Sequence, residues 1–173
     1  MGTDAPAILV LDASVLINFL RVERIDLVRS CTSKLLITEH VRHEVTARYP
    51  EQLTRLDAAL AVGLLETIVL TDLAELQTIA DLSTSSAKRL GIGECSAVAA
   101  AVHRGFELAI DDKAAIREAR ARYPSLPLHT TQDLVVLLIR RGAIDVAAAD
   151  ALKEEWKVRH RFRLKIASFQ ELL

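Results

Sequence analysis

Two short apolar runs, each ending in acid, constrain this chain more than any other feature. Ala7-Ile8-Leu9-Val10-Leu11 carries no polar side chain and leads directly into Asp12, and Leu108-Ala109-Ile110 leads in the same way into Asp111-Asp112. Uninterrupted stretches of this kind read as strands buried on both faces of a parallel sheet. A helical pattern follows each of them. Both acidic points therefore belong at the carboxyl ends of strands, where open α/β sheets keep their ligand crevice.

The same rhythm runs along the chain. Strand patterns fall near 7 to 12, 35 to 37, 66 to 70, 107 to 110 and 126 to 128, with helical patterns at about 14 to 21, 39 to 47, 51 to 62, 72 to 82, 93 to 104 and 113 to 122. This alternation predicts right-handed crossovers and a parallel sheet with helices on both faces. Gly105 and Pro124 are stop signals for two of the helices. Residues 130 to 140 and 145 to 158 add two more helices joined at Gly142, so 130 to 173 reads as a mainly helical elaboration on a single domain spanning 1 to 173. At 173 residues and 51% hydrophobic, the chain is long enough for one domain with a full core.

Charge narrows the function. A net charge of −1 argues against coating nucleic acid by bulk electrostatics. Residues 153 to 165 do hold six of the 22 basic residues, an arrangement able to track a phosphate backbone. The reading favoured for them is a solvated face, since Val158, His160, Phe162, Leu164 and Ile166 alternate with cations as in a half-exposed strand. No apolar stretch approaches the ~20 residues of a spanning helix, and Met1-Gly2-Thr3-Asp4 lacks the order of a signal peptide, so a cytoplasmic protein without membrane association is expected. Cys31 and Cys95 are the only cysteines and form no Cys-x-x-Cys pair, which suits buried free thiols in a reducing compartment.

Two further acids lie on predicted helices. Glu44 neighbours the buried stripe of Val41 and Val45, on a helix that Thr38 can cap. Glu94 follows Leu90-Gly91-Ile92-Gly93 and precedes the small run Ala97 to Ala101; its two glycines let the first helical turn lie close to the strand ends. Carboxylates gathered there repel one another and acquire raised pKa values unless a cation neutralises them. Oxygen ligands without cysteine or a convincing histidine set select Mg²⁺ or Mn²⁺ over zinc, and one or two such ions would support phosphodiester hydrolysis. Taken singly, each acid is more commonly a cap or dipole partner. Their convergence carries the reading.

These residues also resemble a known family. Leu9-Val10-Leu11-Asp12-Ala13-Ser14-Val15-Leu16-Ile17, Val41-Arg42-His43-Glu44, Leu90-Gly91-Ile92-Gly93-Glu94-Cys95-Ser96-Ala97 and Ile110-Asp111-Asp112-Lys113-Ala114-Ala115 are similar, in order, to the successive motifs of PIN-domain nucleases. The first and third blocks are the most specific. The resemblance spans about 7 to 128, with 129 to 173 matching only the general look of a helical extension. It implies an α/β/α sandwich with a central, mainly parallel sheet of about five strands, and a Mg²⁺- or Mn²⁺-dependent ribonuclease, commonly the VapC-type toxin of a toxin and antitoxin pair. An RNA substrate, a cognate antitoxin partner and a homodimer are implied with it. Position by position, Asp12 resembles the first metal ligand, Glu44 the second acid, Glu94 the third and Asp112 the fourth. Asp111 stands where the family often has a neutral polar residue; either of the pair could face the metal, and Asp112 is preferred. Ser14 matches a small hydroxyl residue able to hydrogen-bond Asp12 or a metal-bound water, and it could equally cap the helix beginning there. Asn18, one turn later, is a supporting candidate, although an exposed helical asparagine is the blander reading.

Other signals are weaker. His40, His43 and Glu44 match neither order of the zinc-peptidase motifs, and Gly91-Ile92-Gly93 lacks the third glycine of a dinucleotide fingerprint. Lys113 and Arg117 read as exposed helix formers rather than phosphate guides. Two rival functions stay open: a catalytically silent scaffold binding RNA or a protein partner, which the intact acid set disfavours, and an aspartyl-phosphate phosphotransferase, which commonly wants a second acid where this chain has Ser14.

Overall fold

A computed structural model describes residues 7–85 and 89–173, so the reading of Met1-Gly2-Thr3-Asp4 lies outside the described residues. Five strands, β1 (Ile8–Leu11), β2 (Lys34–Thr38), β3 (Glu66–Ile68), β4 (Glu107–Ala109) and β5 (Leu128–His129), pair parallel throughout in the order β3-β2-β1-β4-β5. Leu9, Val10 and Leu11 are buried, as the unbroken apolar run requires of a central strand covered on both faces. The chain winds outward through β1, β2 and β3, then returns to place β4 on the other side of β1. That reversal makes the gap beyond the carboxyl ends of β1 and β4 a topological switch point. Leu11 is in register with Ala109, so Asp12 and Asp111-Asp112 emerge side by side into that gap.

The outward connections hold α1 (Ala13–Arg21), α2 (Ile25–Ser30), α3 (Glu39–Arg48) and α4 (Pro50–Ala61); the return holds α5 (Leu73–Ser85) and α6 (Ile92–Arg104). After β4 come α7 (Lys113–Arg122), α8 (Thr131–Arg140), α9 (Val146–His160) and a 3₁₀ turn at Phe169–Leu172. Right-handed crossovers put the outward and return helices on opposite faces. The contacts agree: α6 lies across β1, β2 and β4 and touches α5 and α7, whereas α1 touches α2, α4 and α9, and α8 touches α2 and α9. Helix α3 meets members of both groups, α1 and α4 on one side and α6 on the other, which carries Glu44 across the switch point.

Local chemistry fixes the element ends. Thr38 Oγ1 accepts the Val41 N–H at 3.2 Å and caps α3, Pro50 starts α4 with its preset φ, and Gly105 closes α6 in the left-handed region at φ 66°. Two elements depart from the sequence expectation. The short α2 has no side-chain cap at Arg24 and too few residues to display a helical period, yet it buries Ile25, Leu27 and Val28. The half-exposed strand expected around Val158 to Ile166 does not form: α9 runs on to His160, leaving Val158 exposed, and Arg161 then turns the chain at φ 55°. Alternation there reflects a helix end followed by an irregular segment.

The C-terminal elements pack onto α1. Trp156, fully buried, meets the edges of Phe19 and Phe162 at centroid distances of 5.6 and 5.8 Å, and its Nε1–H donates to the Asn18 carbonyl at 2.7 Å. Phe169 is also buried, held by its N–H and the Ser168 hydroxyl on the Asp150 carboxylate. Burying an indole without orphaning its N–H combines a large apolar contribution with polar satisfaction. Cys31 and Cys95 are buried free thiols, and burial pushes Cys95 up to about 11, far from thiolate reactivity.

Candidate active site

Beyond the carboxyl ends of β1 and β4 lies a cavity of about 410 Å³, and Asp12, Glu44, Glu94, Asp111 and Asp112 all line it. Asp12 is 2% exposed. Its backbone N–H continues the sheet to the Ala109 carbonyl at 2.9 Å, and its Oδ2 accepts the Ser14 N–H at 3.1 Å and the Ser14 hydroxyl at 2.6 Å. The other oxygen, Oδ1, is buried with no hydrogen-bond partner. A buried carboxylate oxygen left without a partner is costly, and groups of this kind mark strain or a function. Burial raises the Asp12 pKa above the usual carboxylate range, Glu44 adds to the rise, and the Ser14 bonds oppose it.

The neighbouring acids are each held differently. Asp112 caps α7, with Oδ1 accepting the N–H groups of Ala114 and Ala115 at 2.8 and 2.9 Å. Glu94, in the first turn of α6, accepts the Gly91 N–H at 2.9 Å; its pKa is raised by burial first, then by the charges of Asp12, Asp112 and Glu44. Glu44 Oε1 pairs with Arg48 at 3.0 Å. Its Oε2 occupies the space a Cβ at Gly93 would need, 2.6 Å from that position, so any larger residue there would displace the Glu44 carboxylate. Gly91 leaves ordinary room for a side chain.

Asp111 is engaged on both oxygens. Oδ1 accepts the Thr131 N–H at 2.8 Å, and Oδ2 accepts the Thr131 hydroxyl at 2.6 Å and the Asn18 amide at 3.0 Å. Burial raises its pKa while these bonds oppose the rise. Two expectations are corrected here. Asn18 is 4% exposed rather than solvated, because it joins α1 to Asp111 and Thr131. Ser14 does not cap α1; Asp12 does, and the Ser14 hydroxyl lies between Asp12 Oδ2 and the Asp111 N–H, stitching the ends of β1 and β4 together.

A family model described as PIN domain (DUF3368) matches residues 8–173. The chain belongs to the PIN-domain family. The match includes the C-terminal helices, where the sequence motifs were least specific. This PIN domain is also similar to a chain in the crystal structure of VapBC2 from Rickettsia felis bound to a DNA fragment from their promoter, with a TM-score of 0.50 at 17% identity, covering 71% of this chain and 98% of that one. That likeness concerns the fold. No curated protein matches the chain.

The donor set of this PIN domain fits a hard divalent cation: carboxylate oxygens, no thiolate or imidazole among the cavity's lining residues, and an orphaned oxygen on the most buried acid. Among the described residues no three acids, histidines or cysteines stand close enough together to hold an ion as placed. Glu44 turns instead to Arg48, and Glu94 to the Gly91 N–H. His40, His43, Lys113 and Arg117 do not line the cavity. Arg21 and Tyr49, which no sequence motif singled out, do line it, as does Phe162, expected on a solvated strand. They come from the end of α1, the α3–α4 corner and the segment after α9, and no local motif links them. Among the described residues no helix is long and apolar enough to cross a membrane.

Proposed function

We propose that this PIN domain is a Mg²⁺- or Mn²⁺-dependent endoribonuclease and the toxin of a toxin and antitoxin pair. The observation carrying the reading is the convergence of Asp12, Glu44, Glu94 and Asp112 on one cavity at the switch point, with Asp12 Oδ1 buried and unpartnered. Asp12, Glu94 and Asp112 would hold the cation, and Glu44 would complete the anionic wall. Asp111, with both oxygens taken by Thr131 and Asn18, would serve as a positioning residue that keeps α8 and α1 against the site. When bound, the cation supplies charge neutralisation and lowers the pKa of a water molecule. The chain's own residues then hold the scissile phosphate in the cavity, with Arg21 the cation among the lining residues. Water adds to phosphorus, one P–O ester bond breaks, and a phosphomonoester and a free hydroxyl result.

A toxin role, an antitoxin partner, a homodimer and a cytoplasmic location are part of this proposal and rest on the resemblance to VapC-type toxins; the PIN-domain match and the likeness to a chain of VapBC2 support the toxin role and the antitoxin partner. The deciding experiment incubates end-labelled RNA with the protein in Mg²⁺, Mn²⁺ or EDTA. Cleavage in either metal, absent in EDTA and absent in Asp12→Asn, is expected. RNA retained on the protein but never cut would instead identify a silent binding module, and cutting by the mutant at wild-type rate would remove the metal reading.

A further inference from the structure

Beside the acidic cavity lies a second one of about 390 Å³ with the opposite charge. Arg21, Arg48, Arg159, His160 and Arg161 line it together with Tyr49, and Glu51 is its one acidic lining residue. The two cavities share Arg21 and Tyr49, and Phe162, next after Arg161, lines the acidic one. They are thus consecutive stations on one surface. Some of these cations are already matched: Arg48 pairs with Glu44 at 3.0 Å and Arg159 with Glu155 at 3.5 Å. Among the described residues Arg21 and Arg161 form no ion pair, and Arg21 instead sits over the Tyr49 ring at 5.9 Å. The positive field is felt locally, since the charges of Arg21, Arg55 and Arg159 add to burial in lowering the His160 pKa, against the opposing pull of Glu155.

A second observation comes from the backbone. Helix α9 ends in the left-handed region at Arg161, φ 55°, where α6 ends in Gly105 at 66°. The described left-handed positions are Gly63, Gly105 and Gly142 together with Glu23 and Arg161, and Glu23 is matched by Arg55 at 2.6 Å. A side chain held in this region is disfavoured and points to a use for that side chain. Arg161 presents an exposed guanidinium to the basic cavity.

Resting on the ribonuclease reading above, we propose that the basic cavity is a second phosphate subsite, taking a backbone phosphate of single-stranded RNA beside the one held at the acids. Arginine suits phosphate through its planar, multidonor guanidinium. Cations interleaved with aromatic faces, here Tyr49 and Phe162, are the pattern by which flexible single strands are held, their bases free to stack. Such a strand crosses from the acidic to the basic cavity over Arg21 and Tyr49.

The test measures binding by fluorescence anisotropy of a labelled oligouridylate, long enough to cross both cavities, to the full chain in the uncut Asp12→Asn background. Arg161→Gly removes the charge and suits the left-handed backbone, so an unchanged or higher Tm shows that the fold persists; Arg159→Gln is the second variant. Arg161→Gly is expected to weaken binding about twofold to fivefold and to reduce the slope of log affinity against log salt by about 0.7, the value for one single-strand phosphate contact. Lys34→Gln, an equal charge change at the amino end of β2, leaves both values unchanged. Unaltered affinity and slope in both arginine variants overturn the subsite, as does equal loss in Lys34→Gln, failure of the background protein to bind RNA, or displacement by polyglutamate at lower concentration than by unlabelled RNA, which would mark a cavity for an acidic protein segment. Loss of binding in Arg161→Gly together with no metal-dependent cleavage by the unmutated chain would retire the nuclease reading and keep the subsite. Metal-dependent cleavage with unchanged kcat/KM in both arginine variants would do the reverse.

Discussion

A methyl group on Gly93 would stand 2.6 Å from Oε2 of Glu44. The two residues sit on helices from different connections, α6 and α3, so this contact lies where the outward and return halves of the chain meet over the switch point, beside the Thr38 to Ser96 hydroxyl bond of 2.7 Å. Gly93→Ala favours the helix by about 1 kcal/mol but must push the Glu44 carboxylate aside. Since Glu44 can yield at its flexible end, stability is expected to change by less than about 1 kcal/mol, while cleavage of labelled RNA falls at least about tenfold, the cost of about 1.4 kcal/mol at the transition state. Denaturant melts alongside single-turnover assays check both halves.

Asp12 gives a prediction with a definite sign. Its folded-state pKa is raised, so its contribution to stability is fully present below the unfolded value near 3.8 and is lost as pH rises through the folded value. In metal-free buffer at pH 7, Asp12→Asn is therefore expected to be more stable than the native chain by on the order of 1 kcal/mol. The advantage shrinks as pH falls and both forms become neutral at this position. Thermal melts in EDTA across an acid series decide it; an Asn variant less stable at every pH would contradict the strain assigned to the buried Oδ1.

Metal should reverse that order. A ligand bound only to the folded state stabilises it by about 2.7 kcal/mol at a hundredfold excess over Kd. Mn²⁺ or Mg²⁺ is expected to raise the Tm of the native chain and leave Asp12→Asn unmoved. Equal shifts in the two proteins would place the ion elsewhere.

Away from the site, Glu75 accepts from Arg104 Nε at 2.6 Å and Nη2 at 3.2 Å, and its side chain is 3% exposed. The Arg104 hydrogen bonds hold the Glu75 carboxyl below its ordinary range, so this pair contributes above the unfolded value near 4.5 and loses its contribution as pH falls through the folded value. Glu75→Ala leaves Arg104 short of a partner at the α5–α6 contact and should cost about 2 kcal/mol at neutral pH, with the deficit closing in acid. Urea titrations at two pH values read this directly.

Thr131→Val keeps the backbone bond to Asp111 but removes the hydroxyl one. About 1 to 2 kcal/mol of stability should go with it, along with more activity than a purely structural change implies. The diagnostic is kcat falling while KM holds, against a parallel loss of folded protein.

Much of the site was legible because a strand's end is a local signal. Asp12 and Asp111-Asp112 follow apolar runs whose burial on both faces demands a central parallel strand, and the order of strands then decides that they meet. Glu44 was legible from its place beside a capped, buried stripe, and Glu94 from the two glycines before it and the small run Ala97 to Ala101 behind it. What stayed hidden depends on contacts between distant positions. Asn18 is a solvated residue by its own helix and a buried one once Asp111, 93 positions later, is in place. Helix α2 lacks a cap, and the turn at Arg161 uses a side chain where glycine would have announced it. The basic cavity draws on α1, the α3–α4 corner and the end of α9, so no window along the chain contains it.

The bond from Trp156 to the Asn18 carbonyl spans 138 positions. During synthesis α1 leaves the ribosome long before the indole that closes over it, so Phe19 waits uncovered until α9 emerges. The acidic cavity, lined by Ala13 and Asn18 at the start and by Phe162 beyond α9, is therefore walled on all sides only when the last elements have been made.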